Sequence, residues 1–273
     1  MKKVDRLGWA VGFSFKSYGV RIGIRSNQQA ALERVCAHLP LQWERVSLPI
    51  VDRMYSILVG GAGPRANLRR FNLLYGDHVQ LVRSITLEDV FDKFASDLRL
   101  FVAEFAKHRV FVHAGVVGWK DRAILIPGMS HSGKTTLVDR LIRAGATYYS
   151  DEYAVLDKHG LVHPYARALG MRTPNSFESK KVRAEEIGAQ IGTRPLRVGL
   201  VVSTNFKDGA RWRPRPLSRG KGVLELMANT VSARSQPELA LTVLPKALEA
   251  AQILKGVRGE AREIVDSILG RVA

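Results

Sequence analysis

One stretch of this chain, residues 112 to 157, constrains it more than any other. An apolar run of strand type, Ala123-Ile124-Leu125-Ile126-Pro127, meets Gly128, and after four intervening residues Gly133-Lys134-Thr135-Thr136 opens a helical pattern. Strand, loop and helix in that order, with Gly-x-x-x-x-Gly-Lys-Thr spacing, form a phosphate-binding loop in the context its chemistry requires. Gly128 and Gly133 let the backbone curl until successive N–H groups point into one concavity that suits anionic oxygens. The helix beginning near Lys134 adds the positive end of its dipole. Met129, Ser130, His131, Ser132 and Thr136 complete the cradle. Lys134 is placed to reach the terminal phosphates of a nucleotide, and the Thr135 hydroxyl to join the coordination shell of Mg²⁺. The pattern therefore predicts a nucleotide site with Mg²⁺.

Carboxylates follow at close range. The run from Ala146 to Leu156 reads as one strand carrying Ser150-Asp151-Glu152. An acidic residue just after such a helix can hold Mg²⁺ or accept a proton from an attacking hydroxyl. Neighbouring residues of a strand face opposite sides, so only one of the two is expected to face the phosphates. Asp151 is the first candidate and Glu152 the second. Upstream, the strand Arg109-Val110-Phe111-Val112 delivers His113, which by its apolar surroundings alone reads as a core histidine.

With these residues in view, the chain resembles the HPr kinase/phosphorylase catalytic domain, and especially its shorter bacterial relatives. That family carries a histidine on a glycine-rich strand, a phosphate loop and an acidic pair in this order. Here His113 precedes Lys134 by 21 positions and Lys134 precedes Asp151 by 17, intervals that agree with the family. The resemblance is firm over about residues 109 to 175 and weaker to about 245. It implies an α/β fold with a mixed-sheet P-loop nucleotide domain, similar to that of phosphoenolpyruvate carboxykinase. It implies an ATP- and Mg²⁺-dependent kinase, with Gly128 to Thr136 cradling the ATP, that moves the γ-phosphoryl group to a hydroxyl, of serine in a protein or peptide or of a small molecule. In that reading Lys134 neutralises the transferring group, and Asp151 is the base or metal-organising carboxylate. Thr135, Asp151 and Glu152 stand on the metal side, and His113 beside the phosphates. The family's Glu-Ile-Arg-Gly motif has no copy here. Its best counterpart is Ala166-Arg167-Ala168-Leu169-Gly170-Met171-Arg172, which offers Arg167 or Arg172 as the catalytic arginine but no glutamate. A non-catalytic nucleotide-binding regulator is the alternative that this gap favours.

The remainder divides into a small α+β module at 1–107, ending in a long helix, and a P-loop domain at 108–273 with C-terminal helices. In the module, residues 7 to 25 read as a hairpin and Gln28 to His38 as a helix that places Cys36 in the core. Strands are expected at Met54–Val59, Arg70–Leu74 and His78–Leu81. Val90, Phe91, Phe94, Leu98, Phe101, Val102 and Phe105 recur at helical spacing, with Thr86 and Asp89 as a capping pair. Downstream, Lys180 to Ile187 reads as a polar helical piece. Apolar stripes from Gly222 to Leu269 read as helices that cover the sheet or meet a second copy of the chain.

A net charge of +17 favours anionic partners. The basic residues are spread along the chain and seldom interleaved with aromatics, so nucleic acid is a disfavoured partner and a nucleic-acid-associated NTPase the remoter alternative. One run is dense: residues 205–221 hold six basic residues and a single acid, Asp208. No apolar run has membrane-span length, and the N-terminus lacks a signal-peptide core, so a cytoplasmic location without membrane contact is expected.

Overall fold

The computed structural model describes residues 3–47, 50–61, 71–128, 132–172 and 179–272. Its architecture is mixed α/β, and the chain divides into two compact units, Met1–Lys107 and His108–Ala273.

In the first unit, β1 (Val11–Ser17) and β2 (Val20–Ser26) form the expected hairpin, with Tyr18 and Gly19 both at positive φ in the turn. After α1 (Gln29–Cys36) come β3 (Trp43–Val46), β4 (Arg53–Leu58), β5 (Asn72–Gly76) and β6 (Val79–Ser84). They make a six-stranded sheet in the order β3-β1-β2-β4-β5-β6, mixed because β2 and β4 run parallel. Alternation places Phe15, Ile22, Ile24, Tyr55, Ile57 and Leu74 on one face, where α2 (Leu87–Phe105) covers them with Val90, Phe91, Phe94, Leu98 and Val102. Two local expectations fail. Thr86 makes no side-chain cap; the Ser84 hydroxyl instead accepts from the Thr86 N–H at 3.0 Å and donates to Asp89 at 2.5 Å. Cys36 is exposed, because the buried stripe of α1 is Ala31, Leu32 and Val35 and the next residue turns outward.

The second unit is built around β7 (Arg109–Trp119) and β8 (Arg122–Pro127), an antiparallel pair joined at Lys120-Asp121, both at positive φ. Then follow α3 (Lys134–Arg143), β9 (Thr147–Ser150), β10 (Tyr153–Asp157) and β11 (Val162–His163). A separate hairpin, β12 (Leu169–Arg172) with β13 (Ser179–Val182), precedes β14 (Arg197–Phe206) and β15 (Arg215–Pro216). Last come α4 (Arg219–Met227), α5 (Pro237–Ala247), β16 (Gln252–Arg258) and α6 (Val265–Leu269). The main sheet runs β11-β10-β7-β8-β14-β16-β15, with β9 also on β7, and β8, β14 and β16 are mutually parallel. Leu226, Ala240, Val243 and Leu244 of α4 and α5 cover one face. Leu137, Val138, Leu141 and Ile142 of α3, with Ile268 and Leu269 of α6, cover the other.

Three sequence expectations change here. The C-terminal region is not wholly helical: Ile253 and Leu254 belong to β16, a strand apolar on both sides because helices cover both faces of a parallel sheet. The piece from Lys180 to Ile187 is the end of β13 and a single 3₁₀ turn. The run Ala146 to Leu156 is two strands, with Asp151 and Glu152 in the break. Ser150 makes that break, since its hydroxyl accepts from the N–H groups of Glu152 (3.1 Å) and Tyr153 (3.0 Å). Pairing with β7 resumes in the same register, Ser150 opposite Val116 and Tyr153 opposite His113.

Gly160, in the turn between β10 and β11, sits at φ +78°, and a Cβ there would lie 2.5 Å from the Ala247 backbone nitrogen. Gly188 has a similar φ of +72° with open space around it. Gly188→Ala should therefore lose only the left-handed penalty, about 1–2 kcal/mol. Gly160→Ala should lose that and force α5 away from the turn, lowering the urea midpoint at least about twice as far. Equal midpoints for the two variants would show that α5 yields freely.

Candidate functional site

The site lies where β8 ends. Gly128 follows the strand, and its N–H donates to the His113 carbonyl at 3.2 Å, fastening the loop entrance to β7. Gly133 is the N-cap of α3 at φ +81°, a conformation that a side chain would strain; its Cβ would also meet Arg258 Nη2 at 2.4 Å. Met129, Ser130 and His131 lie outside the described residues. Ser132 is partly buried, with no partner for its hydroxyl among the described residues, and Thr136 faces outward on α3.

Lys134 is half-buried and donates from Nζ to the Gly128 carbonyl at 2.5 Å. Burial lowers its pKa, against which the Asp151 charge works. Thr135 Oγ1 lies 3.4 Å from Asp151 Oδ2. The other Asp151 oxygen accepts from the Tyr148 hydroxyl at 3.2 Å, and the Gly170 N–H approaches Oδ2 at 3.4 Å. Burial raises the Asp151 pKa; the Gly170 N–H opposes this, and the Glu152 charge reinforces it. Tyr148, itself pushed far up by burial and the Asp151 charge, keeps its proton and shares it with the Arg167 carbonyl at 2.8 Å.

Glu152 takes a separate direction, with its carboxylate 4.0 Å from the Arg167 guanidinium. The two carboxylates diverge because of the bend at Ser150 rather than by strand alternation. His113 packs against Tyr153 at 4.8 Å between ring centroids. Burial and the Lys134 charge lower its pKa, while Glu152 pulls the other way, so the ring is neutral near pH 7. Arg172 ends β12; its side chain is outside the described set.

Two residues at this end carry no motif. Tyr148 reads in sequence only as an aromatic strand residue. Arg258, at the end of β16, is 2% exposed. It donates to the Gly133 and Gly259 carbonyls, both at 2.9 Å, and lies over the Phe206 ring. Burial lowers its pKa, with Glu260 opposing. Its Nε and the Thr204 hydroxyl are buried and have no hydrogen-bond partner among the described residues. The apolar pair Ile253-Leu254 followed by glycines at 256 and 259 was a sign in the sequence that a strand, and hence a strand-end residue, was there.

No group of three or more His, Cys, Asp or Glu residues among those described is placed to hold a metal ion. A hydroxyl and a carboxylate facing each other, as Thr135 and Asp151 do, are hard oxygen donors. They fit Mg²⁺, which takes one or two protein oxygens and fills the rest of its shell with water and phosphate. A cavity of about 420 Å³ lined by Trp119, Asp121, Tyr149 and Arg194 lies at the opposite end of β8 and has no part in this constellation.

No protein-family model matches the chain, and no curated protein matches it.

Replacing Asp151 reads out the electrostatics directly. Its folded pKa is raised, so ionising it costs stability, and that cost grows as pH climbs above the ordinary carboxylate range. Asp151→Asn should melt a few degrees above the parent protein at neutral pH, with the gap closing toward pH 4. A variant less stable at neutral pH would mean that the carboxylate is a net structural tie.

Proposed function

We propose that residues 108–273 form an ATP- and Mg²⁺-dependent kinase domain of the HPr-kinase-like, mixed-sheet P-loop type. Its reaction moves the γ-phosphoryl group to a hydroxyl, that of serine in a protein or peptide above all. The observation that carries this reading is the meeting of Thr135 with Asp151 across 3.4 Å, at the start of the helix that Lys134 opens. A bare structural loop has no need to bring a half-buried lysine, a hydroxyl and a carboxylate of raised pKa to one strand end. Perturbed groups gathered in this way are the mark of a working site.

In the proposed mechanism Lys134 and the N–H groups of the loop hold the nucleotide phosphates, and the α3 dipole adds to their field. Thr135 and Asp151 would hold Mg²⁺, which when bound spreads the negative charge of the phosphoryl oxygens. The acceptor hydroxyl oxygen forms a bond to γ-phosphorus as the bond from that phosphorus to the β,γ-bridging oxygen breaks. The hydroxyl proton passes to Asp151, and ADP leaves with the electron pair of the broken bond. Tyr148 and the Gly170 N–H fix the Asp151 carboxylate in place, and neutral His113 offers a hydrogen bond beside the phosphates without adding charge. Arg258, behind the loop exit, is a positioning residue that holds the Gly133 peptide.

Calorimetric titration with Mg-ATP tests the nucleotide part. Lys134→Ala should abolish measurable binding, and unchanged binding would remove the loop from the site. Transfer to serine peptides tests the chemistry. Asp151→Asn should keep nucleotide affinity and lose about 10²- to 10⁴-fold in rate.

A further inference from the structure

The acceptor side of the reaction has a counterpart at the edge of the main sheet. From Arg211 to Arg215, burial alternates residue by residue: Arg211, Arg213 and Arg215 are exposed, while Trp212 and Pro214 turn inward. The inward pair is anchored on β16, where Gly256 leaves room for the Trp212 ring and the Pro214 backbone. Arg215 and Pro216 then pair with Lys255 and Leu254 as β15, the last strand of the sheet. The three arginines thus stand in an extended row, successive members about 6–7 Å apart, on a backbone stiffened by two prolines. Among the described residues Arg211 and Arg213 have no acidic partner, while Arg215 acts at a distance on Glu225, which is held directly by Lys255 and Ser203. Pro214 and Pro216 have no N–H, which blunts this edge to strand addition and leaves recognition to the side chains.

The row also has a fixed place relative to the phosphate loop. Arg215 is level with Lys255, and Lys255 with Ser203. Ser203 is two residues beyond the Leu125–Val201 pair and so level with Pro127, where the loop begins. Three strand spacings separate β8 from β15, about 14 Å. An extended chain covers that distance in about four or five residues.

From this we infer that the Arg211–Arg213–Arg215 row docks an acidic, extended polypeptide segment, and that the acceptor hydroxyl lies about four or five residues from its acidic positions. Carboxylates at alternate positions of such a segment would match the spacing of the row, and guanidinium forks suit them. The inference rests on the kinase reading for its account of the acceptor, but the docking surface can be measured without catalysis.

The test uses the full chain and a fluorescein-labelled peptide with one serine and, beginning about five residues from it, alternating glutamates. A matched peptide has glutamine at every glutamate, and an oligothymidylate of equal length probes for nucleic acid. Anisotropy should show the acidic peptide binding about tenfold or more tightly than the glutamine peptide at low salt. The triple variant Arg211→Glu, Arg213→Glu, Arg215→Glu should lose that preference while its melting temperature stays unchanged. Lys134→Ala should keep the preference, so a failed kinase reading would leave the docking result intact. Equal binding of the two peptides, an undiminished preference in the triple variant, or tighter binding of oligothymidylate than of the acidic peptide would overturn the inference.

Discussion

A charged group taken out of water has to be compensated locally, and the junction between β8 and α3 is framed by two such groups. Lys134 donates to the carbonyl of Gly128, where the loop begins, and Arg258 donates to the carbonyl of Gly133, where it ends. Each cation thereby takes up a carbonyl oxygen as its partner. The arrangement depends on three strands: β7 receives the Gly128 N–H, β8 delivers the loop, and β16, two strands away, carries Arg258. The parallel order β8-β14-β16 is therefore what allows a residue 125 positions away in sequence to hold the loop exit. Burial of an unpaired guanidinium is costly, and two carbonyls with an aromatic face offset only part of it.

The features legible in the sequence are those that neighbouring residues decide among themselves. The strand, glycines and Lys-Thr pair around the loop form a local pattern, as do the hairpin at the N-terminus and the 3–4 spacing along α2. Each is set by periodicity or turn chemistry within a few residues. What escaped was set at long range. β16 resembles the helices on either side of it, because a parallel strand covered on both faces shows no alternation. Arg258 and Tyr148 gained their roles only when distant strands came together. The break at Asp151 was missed for a subtler reason: Ser150 diverts two N–H groups, yet the pairing with β7 keeps its register, so the strand pattern in the sequence runs on uninterrupted.

That break has a consequence for the chemistry. Had Asp151 and Glu152 remained in a regular strand, alternation would have set them on opposite faces of the sheet, one of them turned away from α3. The bend instead leaves both at the end of β8 with different neighbours. Asp151 meets Thr135, Tyr148 and the Gly170 N–H, whereas Glu152 is drawn toward Arg167 and the vicinity of His113. The Asp151 carboxyl is pushed up chiefly by its own burial, with the neighbouring Glu152 charge adding to the effect.

The excess of positive charge can be read again in this light. Spread over a whole surface, +17 is a generic attraction to anions. At the sheet edge it has an additional and quite ordinary use, since arginines and prolines on an exposed strand discourage pairing with another chain. The two roles are compatible, because both follow from the same geometry. Prolines close the backbone to hydrogen bonding, and the arginines are then the groups that a visiting chain meets first. An edge designed only to repel would be served equally well by lysines at irregular spacing. The alternation of Arg211, Arg213 and Arg215 over an anchored tryptophan fixes both direction and spacing, and so distinguishes among anions by shape as well as by charge.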